Sequence, residues 1–129
     1  MIVLDTHAWI WWVSRPGKLS PQARASIDHE EVVGLCPVSC WEIATKVVQG
    51  RIALDRDLRI WMKQALAVPR LDLLKLDPEI SIRAAELGSE GFHGDPADRM
   101  IMATALFHRA GLVTKDRRIR SFPHISSIW

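Results

Sequence analysis

Five acidic residues in this chain of 129 stand where an apolar run ends or a helix begins, the places from which α/β proteins present reactive side chains. Asp5 closes Ile2-Val3-Leu4 and precedes Thr6-His7-Ala8-Trp9. Glu42 lies in Ser39-Cys40-Trp41-Glu42-Ile43-Ala44, just past the apolar stretch from Val32 to Val38. Asp95 and Asp98 bracket Pro96-Ala97 ahead of the apolar segment from Met100 to Ala110, and Asp116 follows Gly111-Leu112-Val113-Thr114-Lys115. A carboxylate at a strand end of a parallel sheet faces the crevice where such folds place ligands. Gathered there, carboxylates repel by roughly 4 kcal/mol per close pair at an effective dielectric of 20. A hard, oxygen-seeking dication such as magnesium resolves that repulsion.

The elements that must position these acids read as short apolar runs alternating with helical patterns, which predicts βαβ units and a mostly parallel sheet. Strands are expected over residues 2–5, 32–36, 71–76 and 112–114, with a short fifth near 124–128. Helices are expected over 6–13, 21–29, 40–49, 57–67, 79–87 and 96–109. Ser20 with Pro21, and Asp77 with Pro78, have the form of helix N-caps followed by a first-turn proline. Gly88 is expected to end one helix, and Gly88, Gly91 and Gly94 to mark a loop. No repeat, low-complexity tract or linker interrupts the pattern, so residues 1–129 read as one domain.

Composition narrows the class. A hydrophobic fraction of 48% with 25% charged residues is that of an ordinary soluble globule. A net charge of +2 is too small to signal nucleic-acid binding by itself. No segment approaches the ~18 uncharged apolar residues of a membrane helix. The apolar start lacks a basic leader and contains Asp5, so a cytoplasmic location is expected. Cys36 and Cys40 then read as free thiols. Phosphate-loop and nucleophile-elbow motifs are absent, and the five histidines have no zinc spacing.

Plainer roles exist for several of these acids. Ser39-Cys40-Trp41-Glu42 fits a capping box, and Asp95-Pro96-Ala97-Asp98 fits an N-cap with a first-turn acid favoured by the helix dipole. Asp116 in Lys115-Asp116-Arg117-Arg118 fits a surface ion pair. Asp5 resists such a reading, because a carboxylate just after a buried strand is costly unless paired or metal-bound. Its charge is expected to be repelled there, so that Asp5→Asn would leave the metal-free fold as stable or more so. Asp95, preceding Pro96, is expected to turn back onto the helix, leaving Asp98 as the principal ligand of that motif.

The set, in that order, resembles the PIN-domain family, and within it the VapC-like ribonuclease toxins of type II toxin–antitoxin pairs. The residues that carry the resemblance are Leu4-Asp5-Thr6-His7-Ala8-Trp9, Ser39-Cys40-Trp41-Glu42-Ile43-Ala44-Thr45-Lys46, Asp95-Pro96-Ala97-Asp98-Arg99-Met100-Ile101 and Thr114-Lys115-Asp116. It implies an α/β fold, a twisted, mostly parallel sheet of four to five strands flanked by helices. It implies a metal-dependent endoribonuclease using Mg2+ or Mn2+, with Asp5, Glu42, Asp98 and Asp116 as catalytic metal ligands and Asp95 and Thr114 as auxiliaries. It also implies a homodimer, an RNA substrate and a cognate small antitoxin. Gly94 and Ala97 depart from the family's habit of a basic and a bulky apolar residue at those places.

Basic residues near the acids, Lys46, Arg99, Lys115, Arg117 and Arg118, form either a solvated face or a rim for RNA phosphates. His7 is expected to pack or hydrogen-bond beside the site without transferring a proton. Six tryptophans with no tyrosine is unusual, and the segment Ala8-Trp9-Ile10-Trp11-Trp12-Val13 is apolar nearly all round. Such a helix is either wedged inside the fold or covered on one side by another chain. Two rival readings are a PIN module that binds RNA without cutting it and an aspartyl-phosphate phosphatase. The second fails at His7, where that chemistry wants a second acid.

Overall fold

The computed structural model describes Met1–Trp129, and its five strands form one wholly parallel sheet. Strands β1 (Ile2–Leu4), β2 (Val33–Leu35), β3 (Leu71–Leu73), β4 (Gly111–Val113) and β5 (Ser127–Ile128) lie in the order β3-β2-β1-β4-β5. The chain steps outward from β1 to β3, then returns to lay β4 on the other side of β1. Leu4 is in register with Leu35 on one side and Val113 on the other. The residues that follow β1 and β4 therefore emerge side by side where the strand order reverses, the usual ligand crevice of open parallel sheets. Asp5 leaves from one strand, and Thr114, Lys115 and Asp116 leave from the other.

The helices are α1 (Thr6–Ser14), α2 (Pro21–His29), α3 (Val38–Val48), α4 (Leu58–Leu66), α5 (Pro78–Ser89), α6 (Pro96–Phe107) and α7 (Arg117–Ser121), with a 3-10 turn at Pro16–Lys18. Strand alternation sorts them onto two faces. Ile2 and Leu4 point into a core shared with Trp9, Ile27, Ile43 and Trp61, beneath α1 to α4. Val3 points the other way, toward Ile80, Leu87, Ile101 and Met102 of α5 and α6. Both faces of β1 are thus buried, which holds the start of the Asp5 segment rigidly.

Several boundaries differ from expectation. The third strand ends at Leu73, although Leu74 remains buried beyond it. Helix α3 begins at Val38 because Pro37 already has right-handed helical geometry (φ −55°, ψ −26°), and no side chain caps it. Helix α5 runs through Gly88 to Ser89. Gly88 serves close packing there: a Cβ on it would come 2.5 Å from Arg99 Nη1 of the neighbouring helix. The five-residue helix α7 lies between the fourth and fifth expected strands, a stretch to which the sequence pattern assigns no element. Helix α1 is mostly wedged within the fold, with Trp9 fully buried and Ile10, Trp11, Trp12 and Val13 half-buried on the same core. Cys36 is buried and Cys40 half-buried, both as free thiols. No helix is long and apolar enough to cross a membrane.

Gly34 sits at the middle of β2, where a Cβ would stand 2.7 Å from Leu74 Cδ1. Gly34→Ala is therefore expected to lower the denaturant midpoint by the equivalent of about 1–3 kcal/mol, the usual cost of overpacking a buried site. An unchanged midpoint would mean that Leu74 swings aside freely.

Candidate metal centre and its rim

Each acid is held by a local device that leaves its charge available. Asp5 accepts hydrogen bonds from the Thr6 backbone N–H at 2.8 Å and from the Thr114 hydroxyl at 2.6 Å, with His7 Nδ1 at 3.5 Å. Thr114 Oγ1 in turn accepts from the Asp116 N–H at 3.1 Å, joining the ends of β1 and β4. Asp116 caps α7, accepting from the Arg118 and Ile119 N–H groups at 2.8 and 3.3 Å. Asp95 caps α6 as expected, accepting from the Asp98 N–H at 2.9 Å. Glu42 Oε1 accepts from the Thr6 hydroxyl at 2.5 Å.

The capping box at Ser39 and Glu42 does not form. With α3 starting at Val38, Ser39 lies inside the first turn, fully buried, its Oγ 2.9 Å from Thr6 Oγ1. Thr6 has one hydroxyl proton, given to Glu42, so Ser39 is left to donate in the second bond. Thr6 and Ser39 were not singled out in the sequence as site residues. Their signal was present nonetheless, as hydroxyls immediately after a strand-end acid and three residues before a second acid.

Carboxylate oxygens of Glu42, Asp95 and Asp98 come within 4.8 Å of one another. Asp95 is thus part of the closest trio as well as a cap. Asp98 is 8% exposed, and no hydrogen bond reaches its carboxylate. Burial first, then the charges of Asp95, Asp5, Asp116 and Glu42, push its carboxyl up to about 7. Burial likewise raises Glu42, against the Thr6 hydrogen bond and the Lys46 charge. For Asp116 burial acts upward, but the backbone donors and guanidinium of Arg118 outweigh it and hold the group below its ordinary range. Asp98 is therefore the acid whose anion burial and crowding clearly disfavour. Asp5 is well supplied with donors, so stabilisation by Asp5→Asn no longer follows.

The cation nearest the acids is Arg118. Its Nη2 stands 3.5 Å from Asp98 and 3.4 Å from Asp116 while the side chain remains 63% exposed. Lys46, on α3, is half-buried and acts electrostatically on Glu42. Lys115 lies over the Trp11 ring at 5.8 Å, and Arg117 is exposed. Arg99 does not join this rim: it points across α6 onto Gly88 of α5, about a quarter-turn from Asp98. His7 Nε2 accepts the Lys115 N–H at 3.0 Å, which puts its proton on Nδ1, toward Asp5. Burial holds this imidazole below its usual pKa, which favours the neutral ring in this hydrogen-bonded position.

The donors here are all oxygens, from carboxylates and hydroxyls, and their negative charge is met by the exposed Arg118 at Asp98 and Asp116 and by Lys46 near Glu42. That set fits a hard divalent cation and suits neither zinc nor copper, which favour sulfur and nitrogen. A concavity of about 750 Å3 is lined by Arg118 with Phe92, His93, Phe122 and His124, and holds none of the five acids.

The PIN domain profile matches residues 2–125. The chain belongs to the PIN-domain family. Ribonuclease VapC22 from Mycobacterium tuberculosis is 38% identical over 123 residues, covering 95% of this chain and 92% of that protein. Two solved structures share the PIN fold. A crystal structure of VapBC2 from Rickettsia felis bound to a promoter DNA fragment aligns at TM-score 0.71 and 15% identity, over 98% of this chain and 97% of that one. A toxin–antitoxin complex from Klebsiella pneumoniae aligns at TM-score 0.67 and 16% identity, over 97% and 95%. The resemblance carried by the four acidic motifs therefore holds over nearly the whole chain.

Two predictions follow from the PIN acid cluster. The folded chain holds the Asp98 proton more tightly than the unfolded chain, so this contribution to stability is present at low pH and fades as pH rises through about 7. In metal-free buffer, Asp98→Asn should gain melting temperature relative to wild type as pH goes from about 5 to 8. A difference that stays constant or shrinks over that range would refute the assignment. Arg118 competes with a cation for Asp98 and Asp116, so Arg118→Ala should bind Mn2+ more tightly by calorimetry, and weaker binding would make Arg118 a supporting residue instead.

Proposed function

We propose that this PIN-domain chain is a divalent-metal-dependent endoribonuclease, the toxin of a toxin–antitoxin pair, acting in the cytoplasm. The observation that carries the reading is Asp98: a buried carboxyl with no hydrogen-bond donor, pressed by four other acids at the switch point of the sheet. The 38% identity to a ribonuclease supplies the substrate class. Asp5, Glu42, Asp98 and Asp116 would hold Mg2+ or Mn2+, with Asp95 and Thr114 assisting. Such an ion supplies polarisation of the phosphodiester, a bound water of lowered pKa and charge to offset the leaving oxygen.

The chain's own residues do the positioning. Thr114 fixes Asp5 and ties it to the Asp116 turn, while Thr6 fixes the direction of Glu42. Asp95 fixes the start of α6 and so the depth of Asp98. Lys46, Lys115, Arg117 and Arg118 form the rim that takes the flanking RNA phosphates, contacts that orient the strand without reading its sequence.

A cognate antitoxin and a second copy of the chain complete this reading. A cleft of about 480 Å3 runs from Thr6, His7 and Lys46 along Ile10 and Trp11 to Leu54 and Trp61. Its apolar length suits a partner helix or extended segment, and its end opens beside the acids, where a basic side chain of that partner would displace the metal.

Cleavage of a mixed RNA should stop on chelation and return with magnesium or manganese. Asp98→Asn should lose more cleavage and more metal affinity than Asp95→Asn, because Asp95 is partly occupied with the α6 backbone. A loss of roughly 100-fold or more is expected for a ligand to a catalytic metal. Cleavage that survives chelation would sink the metal mechanism, and the reverse mutant order would make Asp95 the principal ligand.

A further inference from the structure

Five of the six tryptophans pack into the core beneath α1 to α4: Trp9 and Trp61 within it, and Trp11, Trp12 and Trp129 against it. Trp9 meets Trp61, Trp11 meets Trp129, and Trp12 lies under Arg70. Trp41 is different. It belongs to neither core, has no aromatic or cationic partner, and is 62% exposed. Its place on α3 is one residue before Glu42, so its indole leaves the helix about 100° round from that carboxylate. Folding does not account for a large, rigid aromatic surface left in water beside the acids.

The indole lines a cleft of about 370 Å3 shared with two of the acids. Glu42 and Asp95 line it together with Thr45, Lys46 and Arg51. An aromatic face flanked by cations, next to a site for a phosphodiester, is the arrangement by which proteins hold single-stranded nucleic acid. Bases stack on the ring while the basic groups follow the backbone. Every base has a π-face, so such a platform selects an unpaired nucleotide over a duplex without selecting a sequence.

We propose that Trp41 is a stacking platform for one unpaired RNA base adjoining the scissile phosphate, with Lys46 and Arg51 on the phosphates beside it. This rests on the ribonuclease reading for its class of ligand. Val48, seven residues further on α3, is exposed too but does not line the cleft.

The test measures binding, so that it does not depend on cleavage. A fluorescein-labelled single-stranded RNA is titrated by anisotropy onto Asp98→Asn protein, with and without Trp41→Ala or Trp41→Phe. Trp41→Ala should weaken binding roughly tenfold, and Trp41→Phe much less. Repeating the titration with the RNA made abasic at each position in turn should reveal one position where the Trp41→Ala effect vanishes. Coupling to a single base is something that general loosening of the helix would not produce. Equal affinity for wild type and Trp41→Ala would overturn the platform while leaving the ribonuclease reading intact. RNA bound through Trp41 by a wild-type chain that cuts nothing would do the reverse. A shift to smaller particles in light scattering of Trp41→Ala, with RNA affinity unchanged, would assign the indole to a protein interface and also overturn the proposal.

Discussion

Negative charge crowded at the ends of two adjacent strands is the constraint that the rest of this structure serves. Five carboxylates converge there, and four of them are held by neutral donors: backbone N–H groups for Asp5, Asp95 and Asp116, and hydroxyls for Asp5 and Glu42. A neutral donor orients a carboxylate without cancelling its charge. Lysines or arginines in those places would hold the acids more strongly but leave nothing for a cation to bind. Asp98 alone lacks such a donor, and it is the one whose carboxyl is pushed up to about 7. The electrostatic cost of the site is concentrated at Asp98.

The sheet makes the crowding possible. Only the return of the chain from β3 to β4 brings residues 5 and 114 to hydrogen-bonding distance. Burial of β1 on both faces then prevents the strands from parting to relax the repulsion. The Thr114 hydroxyl, donating to Asp5 and accepting from the Asp116 N–H, fastens the two strand ends at the place where they would separate. Rigid core and strained edge are the same feature seen from two sides.

The fold was readable because alternating apolar runs and helical patterns fix a parallel sheet, and Asp5 was readable because few structural roles suit an acid at a buried strand end. The capping box at Ser39-Cys40-Trp41-Glu42 misled for a local reason: Pro37 can itself begin the helix, which moves Ser39 from the cap into the first turn and leaves Glu42 to bond Thr6 instead. Helix α7 escaped notice because five residues give too little periodicity, although Asp116 before Arg117 has the form of a cap. Arg99 and Arg118 both stand near acids in sequence. Only packing separates them, since Gly88 leaves room for one on the α5 surface and nothing draws the other from the acids. Trp41 was hidden among six tryptophans, because composition does not say which one the core leaves out.

On the proposed reading, one location serves three cations that exclude one another. Arg118 lies there in the protein alone, held at 3.5 and 3.4 Å from Asp98 and Asp116 by an exposed and therefore weak pair of contacts. A divalent ion, with twice the charge and direct coordination, displaces such a side chain readily. A partner's basic group reaching in from the Ile10–Trp61 cleft would have the affinity of a whole interface behind it, and so could displace the ion in turn. Inhibition then needs no change of fold. It needs only that the partner deliver positive charge to the acids that the fold has crowded together.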